Sequence, residues 1–143
     1  MAHTVTNRGL YYLLNTAISG STDFRSAVFK GTPPSAATIR DYNFLSDVTG
    51  SYTEAAATNY ARQDLASVTI TESDASDNVT ITATAPTISS VGAGETWTFV
   101  AHYVEGASDA ARTLISIDAP ASSLVTNGGN VTLPQLSYTI TGS

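Results

Sequence analysis

Thr96-Trp97-Thr98-Phe99-Val100-Ala101-His102-Tyr103-Val104 is the stretch on which the fold turns. Strict alternation would put Trp97, Phe99, Ala101 and Tyr103 on one face and Thr98, Val100, His102 and Val104 on the other. Both sets are largely apolar, as expected of a strand covered on both sides, so this segment is read as the central strand of a sheet. Gly92-Ala93-Gly94 before it and Gly106-Ala107-Ser108-Asp109 after it read as turns.

The neighbouring segments extend the pattern. Asp23 to Lys30 reads as a strand with Phe24, Ser26 and Val28 on one face and Arg25, Ala27 and Phe29 on the other. It is stopped by Gly31-Thr32-Pro33-Pro34, because proline has no N–H to give a ladder. Ser35 is placed to cap a short helix over residues 36–40, and 41–50 reads as a loop or a turn of helix around Phe44-Leu45. Tyr60 to Leu65 reads as a short strand. Ser67 to Thr71 and Asn78 to Ala83 read as a hairpin across Glu72–Asp77, with Val68, Ile70, Val79 and Ile81 facing the core. Arg112 to Asp118 follows and Pro120 ends it. Ser123–Thr126 and Asn130–Leu133 flank Asn127-Gly128-Gly129, which predicts a second hairpin. Leu136 to Thr141 is the last strand.

Upstream, Leu10, Leu13, Leu14, Ala17 and Ile18 fall on one face at helical spacing, with Asn7 as cap and Gly20 as stop. The prediction is therefore mainly β: an antiparallel β-sandwich or flattened barrel with a short N-terminal α-helix. The organisation expected is an N-terminal arm over 1–6 and a single β-sandwich domain over 7–143.

Composition narrows the function. The chain has 143 residues, six Lys or Arg against twelve Asp or Glu, and no cysteine. That excludes a disulfide framework and a cysteine nucleophile. Gripping nucleic acid needs a basic stripe, which a net charge of −6 and one lysine, Lys30, do not supply. No apolar run is long enough for a transmembrane helix. Met1–Thr6 lacks the charged start and apolar middle of a signal peptide, which predicts synthesis in the cytoplasm of the producing cell. Thr, Ser and Ala make up about 40% of the chain and charged residues 13%, so much of the surface is expected to be uncharged and suited to lying against other protein.

The search for chemistry returns no catalytic set. His3 lies in the arm, and His102 has apolar residues at i±2, so a packed or hydrogen-bonded histidine is expected. Ile18-Ser19-Gly20-Ser21 lacks the first glycine of a nucleophile elbow, and Gly92-Ala93-Gly94 lacks the third glycine of a phosphate loop. Glu72, Asp74 and Asp77 could approach a calcium ion, but without the loop glycine and final glutamate they read as a solvated turn. Asn78-Val79-Thr80 and Asn130-Val131-Thr132 match the glycosylation sequon. Trp97, Tyr103, Tyr60 and Phe99 would form a sugar platform if exposed together, and core if buried. No cofactor or metal is expected. Asp47 and Arg62 each stand in weakly charged surroundings and are expected to pair, pinning 41–50 to the sheet.

Several stretches together resemble a known family. They are Asp41-Tyr42-Asn43-Phe44-Leu45-Ser46-Asp47-Val48, Asn59-Tyr60-Ala61-Arg62-Gln63-Asp64-Leu65, Leu114-Ile115-Ser116-Ile117-Asp118 and Val125-Thr126-Asn127-Gly128-Gly129-Asn130-Val131-Thr132-Leu133, behind a leucine-faced helix. In this order they are similar to a family of small structural proteins of tailed bacteriophages, across most of residues 10–141. The first strand departs from the family, whose members are more aliphatic than Phe24-Arg25-Ser26-Ala27-Val28-Phe29. The resemblance implies a non-enzymatic virion component, above all a capsid decoration (cement) protein on the outer surface of the phage head. Neck or tail placement, or a carbohydrate-binding module of a host-attachment part, is the alternative. The implied partners are the major capsid protein and the chain itself, as a dimer or trimer, with no nucleic acid or membrane. The arm residues Met1, Ala2, His3, Thr4, Val5 and Thr6 are the expected contacts with the shell or a neighbouring subunit.

Overall fold

In a computed structural model, residues 23–141 are described; the arm over 1–6 and the helix expected over Leu10–Ile18 lie outside the described residues. The central segment forms strand β8 (Phe99–Val104), between β1 (Phe24–Lys30) and β9 (Leu114–Asp118). All pairings in this sheet are antiparallel. The outer edge of β1 is shared by two short strands, β2 (Thr53–Glu54) and β3 (Gln63–Asp64). Between them, the Val28 N–H donates to the Tyr60 hydroxyl at 3.0 Å and the Ala55 N–H donates to the Val28 carbonyl at 2.8 Å. The edge thus keeps its backbone groups paired where no strand runs. Tyr60 belongs to this loop, and the strand expected over Tyr60–Leu65 contracts to Gln63–Asp64.

One face of the sheet carries Ala27, Phe29, Phe99, Ala101 and Tyr103, packed against Leu45 and Val48. Those two belong to α2 (Leu45–Thr49), which follows α1 (Ala36–Asp41). Ser35 caps α1 through its Oγ, which accepts from the Thr38 N–H, as the sequence predicts. Three small antiparallel sheets adjoin the other face, two of them packed directly on it and the three-stranded one reaching it through Val68, Ala83 and Leu136 beside its strands. They are β4 (Thr69–Ser73), β5 (Asn78–Thr82) and β12 (Ser137–Thr141) in the order β12-β5-β4; β6 (Thr87–Ile88) with β11 (Val131–Thr132); and β7 (Thr96–Trp97) with β10 (Leu124–Val125). Val28 and Val100 meet Trp97, Ile88, Val91 and Leu133 at one end of this face. Phe24 meets Leu65, Ala83 and Leu136 at the other. The result is a β-rich, sandwich-like fold with α2 over one outer face of the main sheet and no closed barrel.

Two expectations are corrected. Trp97 does not share a face with Phe99. Alternation breaks at Thr98, whose N–H and hydroxyl both donate to the Phe29 carbonyl, at 3.0 and 3.3 Å. Trp97 then packs with Val28 and Val100 on the opposite side. Nor is Asn127-Gly128-Gly129 a hairpin, because the strands flanking it pair elsewhere: Leu124 with Trp97, and Val131 with Ile88. The turn is an Asx turn, with the Gly129 N–H on Asn127 Oδ1 at 3.0 Å, and it carries the chain from one small sheet to the next. Gly128, at φ +93°, supplies the left-handed residue this needs. The expected hairpin forms as β4–β5, but its first strand is shifted, with Glu72 and Ser73 paired inside β4 instead of in the turn and Val68 before it; Val79 and Ile81 are buried, while Val68 and Ile70 are half-buried.

Candidate interaction surface and buried polar row

Strand register arranges three TxT-like stretches side by side. In the β12-β5-β4 sheet, Ser137, Thr82 and Thr69 stand in one row, Thr139, Thr80 and Thr71 in the next, and Thr141, Asn78 and Ser73 in the third. Side chains alternate between faces, so all nine lie on one side of the sheet. The opposite side carries Ile70, Ile81 and Tyr138 and runs on into the core through Val68, Ala83 and Leu136. The outward face is therefore a grid of neutral hydroxyls and one amide, about 4.8 Å by about 7 Å in pitch. Neighbours pair across it: Thr69 with Thr82 at 2.9 Å and Thr80 with Thr139 at 3.0 Å. Ser137, Thr139, Thr141, Thr69 and Thr71 on the edge strands remain exposed, while Ser73 is half-buried. This surface presents donors and acceptors with no charge to strip of water.

Three arginines and their acidic partners are gathered elsewhere and neutralise one another. The Arg62 guanidinium forks onto Glu54, with Nε and Nη2 each 2.8 Å from an oxygen, and reaches Asp109 at 2.7 Å. Arg112 binds Asp109 and Glu105, both at 2.6 Å. The two guanidinium carbons lie 5.9 Å from the Tyr103 ring centroid. Arg25 meets Asp23, Asp64 and Glu105. Hydrogen bonds from Arg62, and then from Arg112, hold the Asp109 carboxyl at about 2. Gly106 lets this loop close, since a Cβ there would stand 2.6 Å from the Ala111 carbonyl oxygen.

The expected Asp47–Arg62 pair is therefore corrected. Asp47 turns back on its own helix, and its Oδ2 accepts from the Phe44 and Asn43 N–H groups at 3.0 and 2.8 Å. Those bonds lower its carboxyl below the ordinary value, and they satisfy donors that the start of α2 would otherwise leave open. What joins 41–50 to the sheet is backbone bonding instead: Leu45 N–H to the Arg112 carbonyl and Leu114 N–H to the Asn43 carbonyl.

Glu95 forms a second polar centre that the sequence does not single out. Its carboxylate accepts from Lys30 Nζ, from the Ala56 and Ala57 N–H groups and from Trp97 Nε1. Burial pushes this carboxyl up, but the Lys30, Trp97 and Ala56 donors outweigh it and hold it at about 2. A polar residue beside a lone tryptophan was the available signal.

His102 is buried and hydrogen-bonded, as the sequence predicts, but it belongs to a polar row through the main sheet that the sequence does not mark. Ser26, His102 and Ser116 are cross-strand partners on β1, β8 and β9. His102 Nδ1 lies 2.8 Å from Asp118 Oδ2 and 3.1 Å from Ser116 Oγ, and Ser116 Oγ donates to Asp118 at 3.1 Å. His102 Nε2 and Ser26 Oγ are buried without a hydrogen-bond partner. The residue types are those of a hydrolase triad, but Ser26 and His102 are wholly enclosed, so the Ser26 hydroxyl meets no substrate.

Trp97, Phe99 and Tyr103 are buried and Tyr60 is half-buried, its hydroxyl held by Glu54 and Val28. They form core and no sugar platform. Among the described residues no group of three or more His, Asp or Glu side chains is gathered to hold a metal ion, and no helix is long and apolar enough to cross a membrane. Glu72, Asp74 and Asp77 sit around the tip of the β4–β5 hairpin, where Asp77 takes φ +50°. Comparison of the chain with profiles of known families, with curated proteins and with solved structures finds no match.

Proposed function

We propose that the chain is a non-enzymatic structural protein of a tailed-bacteriophage virion, a decoration protein that binds the outer surface of the assembled head and stabilises it. The observation that carries this reading is the neutral hydroxyl face of the β12-β5-β4 sheet, on a chain whose Arg62, Arg112, Arg25 and Lys30 are each engaged in ion pairs. Interfaces that are buried for the life of an assembly are depleted in charge at their centre, and a face of neutral hydroxyls costs less to dry than a charged one, provided its groups find partners. The sequence resemblance supplies the partner, the major capsid protein. Binding to the assembled state alone raises its stability by mass action.

The test is copy number per purified particle, by quantitative mass spectrometry against the major capsid protein. Hundreds of copies in a simple ratio to the shell subunit is the expected result. About three to twelve copies would move the chain to a ring at the neck or tail, and its absence from particles would overturn the reading. Deleting Met1–Thr6 is expected to weaken binding to shells while leaving the circular dichroism unchanged.

A further inference from the structure

We infer that β12 is a self-association edge, on which Ser137–Thr141 pairs antiparallel with the same strand of a second copy about a twofold axis at Thr139. Three five-residue strands form sheet edges among the described residues. β4 carries Glu72 and β9 carries Asp118, whereas β12, Ser-Tyr-Thr-Ile-Thr, carries neither charge nor proline. Edge strands are ordinarily guarded by charge, proline, bulges or cover, because their open N–H and C=O groups template another strand. Among the described residues β12 has none of these guards along its length, and Tyr138 on it is 50% exposed.

The backbone fixes which groups are open. The Ala83 N–H donates to the Leu136 carbonyl at 3.0 Å, so Leu136 directs its backbone groups to the β5 side. Direction alternates along an antiparallel strand, so Tyr138 and Ile140 bond β5 while Ser137, Thr139 and Thr141 point their N–H and C=O outward. An antiparallel copy centred on Thr139 lets each of those three exchange both bonds with its opposite.

The side chains favour a second copy over an unrelated strand. The sequence alternates hydroxyl and apolar residues and reads alike in both directions. Self-pairing therefore sets Thr139 against Thr139, Ser137 against Thr141, and Tyr138 against Ile140. Aromatic against β-branched and hydroxyl against hydroxyl are both favourable cross-strand pairs. Charge argues the same way: two chains each at −6 repel, and β12 is where they can meet without opposing carboxylates. The joined sheets would carry the hydroxyl grid across both copies. This pairing does not rest on the proposed function, because it is tested on the isolated chain and a negative particle count would not touch it.

The experiment is sedimentation velocity on the full chain, wild type against Thr139→Pro and Thr139→Lys. Proline removes an N–H that β5 does not use, and lysine sets like charges face to face at the axis. Wild type is expected as a dimer and both variants as monomers with unchanged circular dichroism. A monomeric wild type, or folded variants that stay dimeric, overturns the proposal. The register is read separately with Thr139→Cys, the sole thiol in its chain. A hydrogen-bonded antiparallel pair holds Cα atoms about 5.5 Å apart, within disulfide reach. Mild oxidation is expected to cross-link it much faster than Thr71→Cys on the opposite edge. Equal rates overturn the pairing.

Discussion

Ser26 and His102 face each other across the strand pair at the middle of the sheet, and neither Ser26 Oγ nor His102 Nε2 has a protein partner. A buried hydroxyl without a hydrogen bond costs free energy relative to its hydrated state in the unfolded chain, on the order of 1–3 kcal/mol. Ser26→Ala removes that hydroxyl and leaves Asp118 and Ser116 on the other ring nitrogen untouched. The expected outcome is unchanged or slightly higher stability in urea unfolding. A loss above about 1 kcal/mol would show that the hydroxyl is hydrogen-bonded in solution.

At the scale of elements, the start of α2 depends on Asp47. Asp47→Ala should cost about 1 kcal/mol, the usual penalty for losing a capping side chain. Combined with Arg62→Ala, the effect should add to within about 0.5 kcal/mol, because the two residues share no partner; Glu54→Ala with Arg62→Ala should couple more strongly. Unfolding of the single and double variants measures both. Elements built from local signals were legible in the sequence: β1 and β5 from their alternation, α1 from Ser35, the β4–β5 hairpin from its polar turn. What was not legible depends on distant partners. Asp47 is matched to the wrong partner because backbone N–H groups leave no mark in the sequence, and the carboxylates of Arg62 lie 8 and 47 residues away. Nothing in Thr96–Val104 marks Thr98 as the break, since the carbonyl that captures it belongs to Phe29. The hydroxyl grid had a visible trace in the repeated Val-Thr-Ile-Thr, but only the register of three strands turns it into a surface.

Over the whole molecule, Glu95 and Asp109 contribute to the response to acid, alongside Asp47 and Glu105, which are also lowered. The Glu95 and Asp109 carboxyls are held at about 2 in the folded chain, against 4.5 and 3.8 for the free groups. The unfolded chain therefore takes up protons first as the pH falls, and stability rises with pH across this range. The contribution is fully present above about pH 4.5 and is lost on the way down to about pH 2, on the order of a few kcal/mol in all. Urea midpoints measured across this range should fall steeply, and Glu95→Gln should flatten the slope while lowering stability near neutrality. A midpoint that does not move would show that neither carboxylate is held as described.

Trp97 gives this acid response an optical signature. It is the chain's single tryptophan, it is 1% exposed, and its indole N–H rests 2.9 Å from Glu95, with the Tyr60 ring edge-on at 5.6 Å. All indole fluorescence therefore comes from one site, beneath the clip that joins Lys30, Ala56 and Ala57. Emission should be blue-shifted and poorly quenched by acrylamide in the native state, and it should redden as Glu95 takes up its proton. Intrinsic fluorescence, with no label attached, thus reports on the junction of β1, β7 and the loop between β2 and β3.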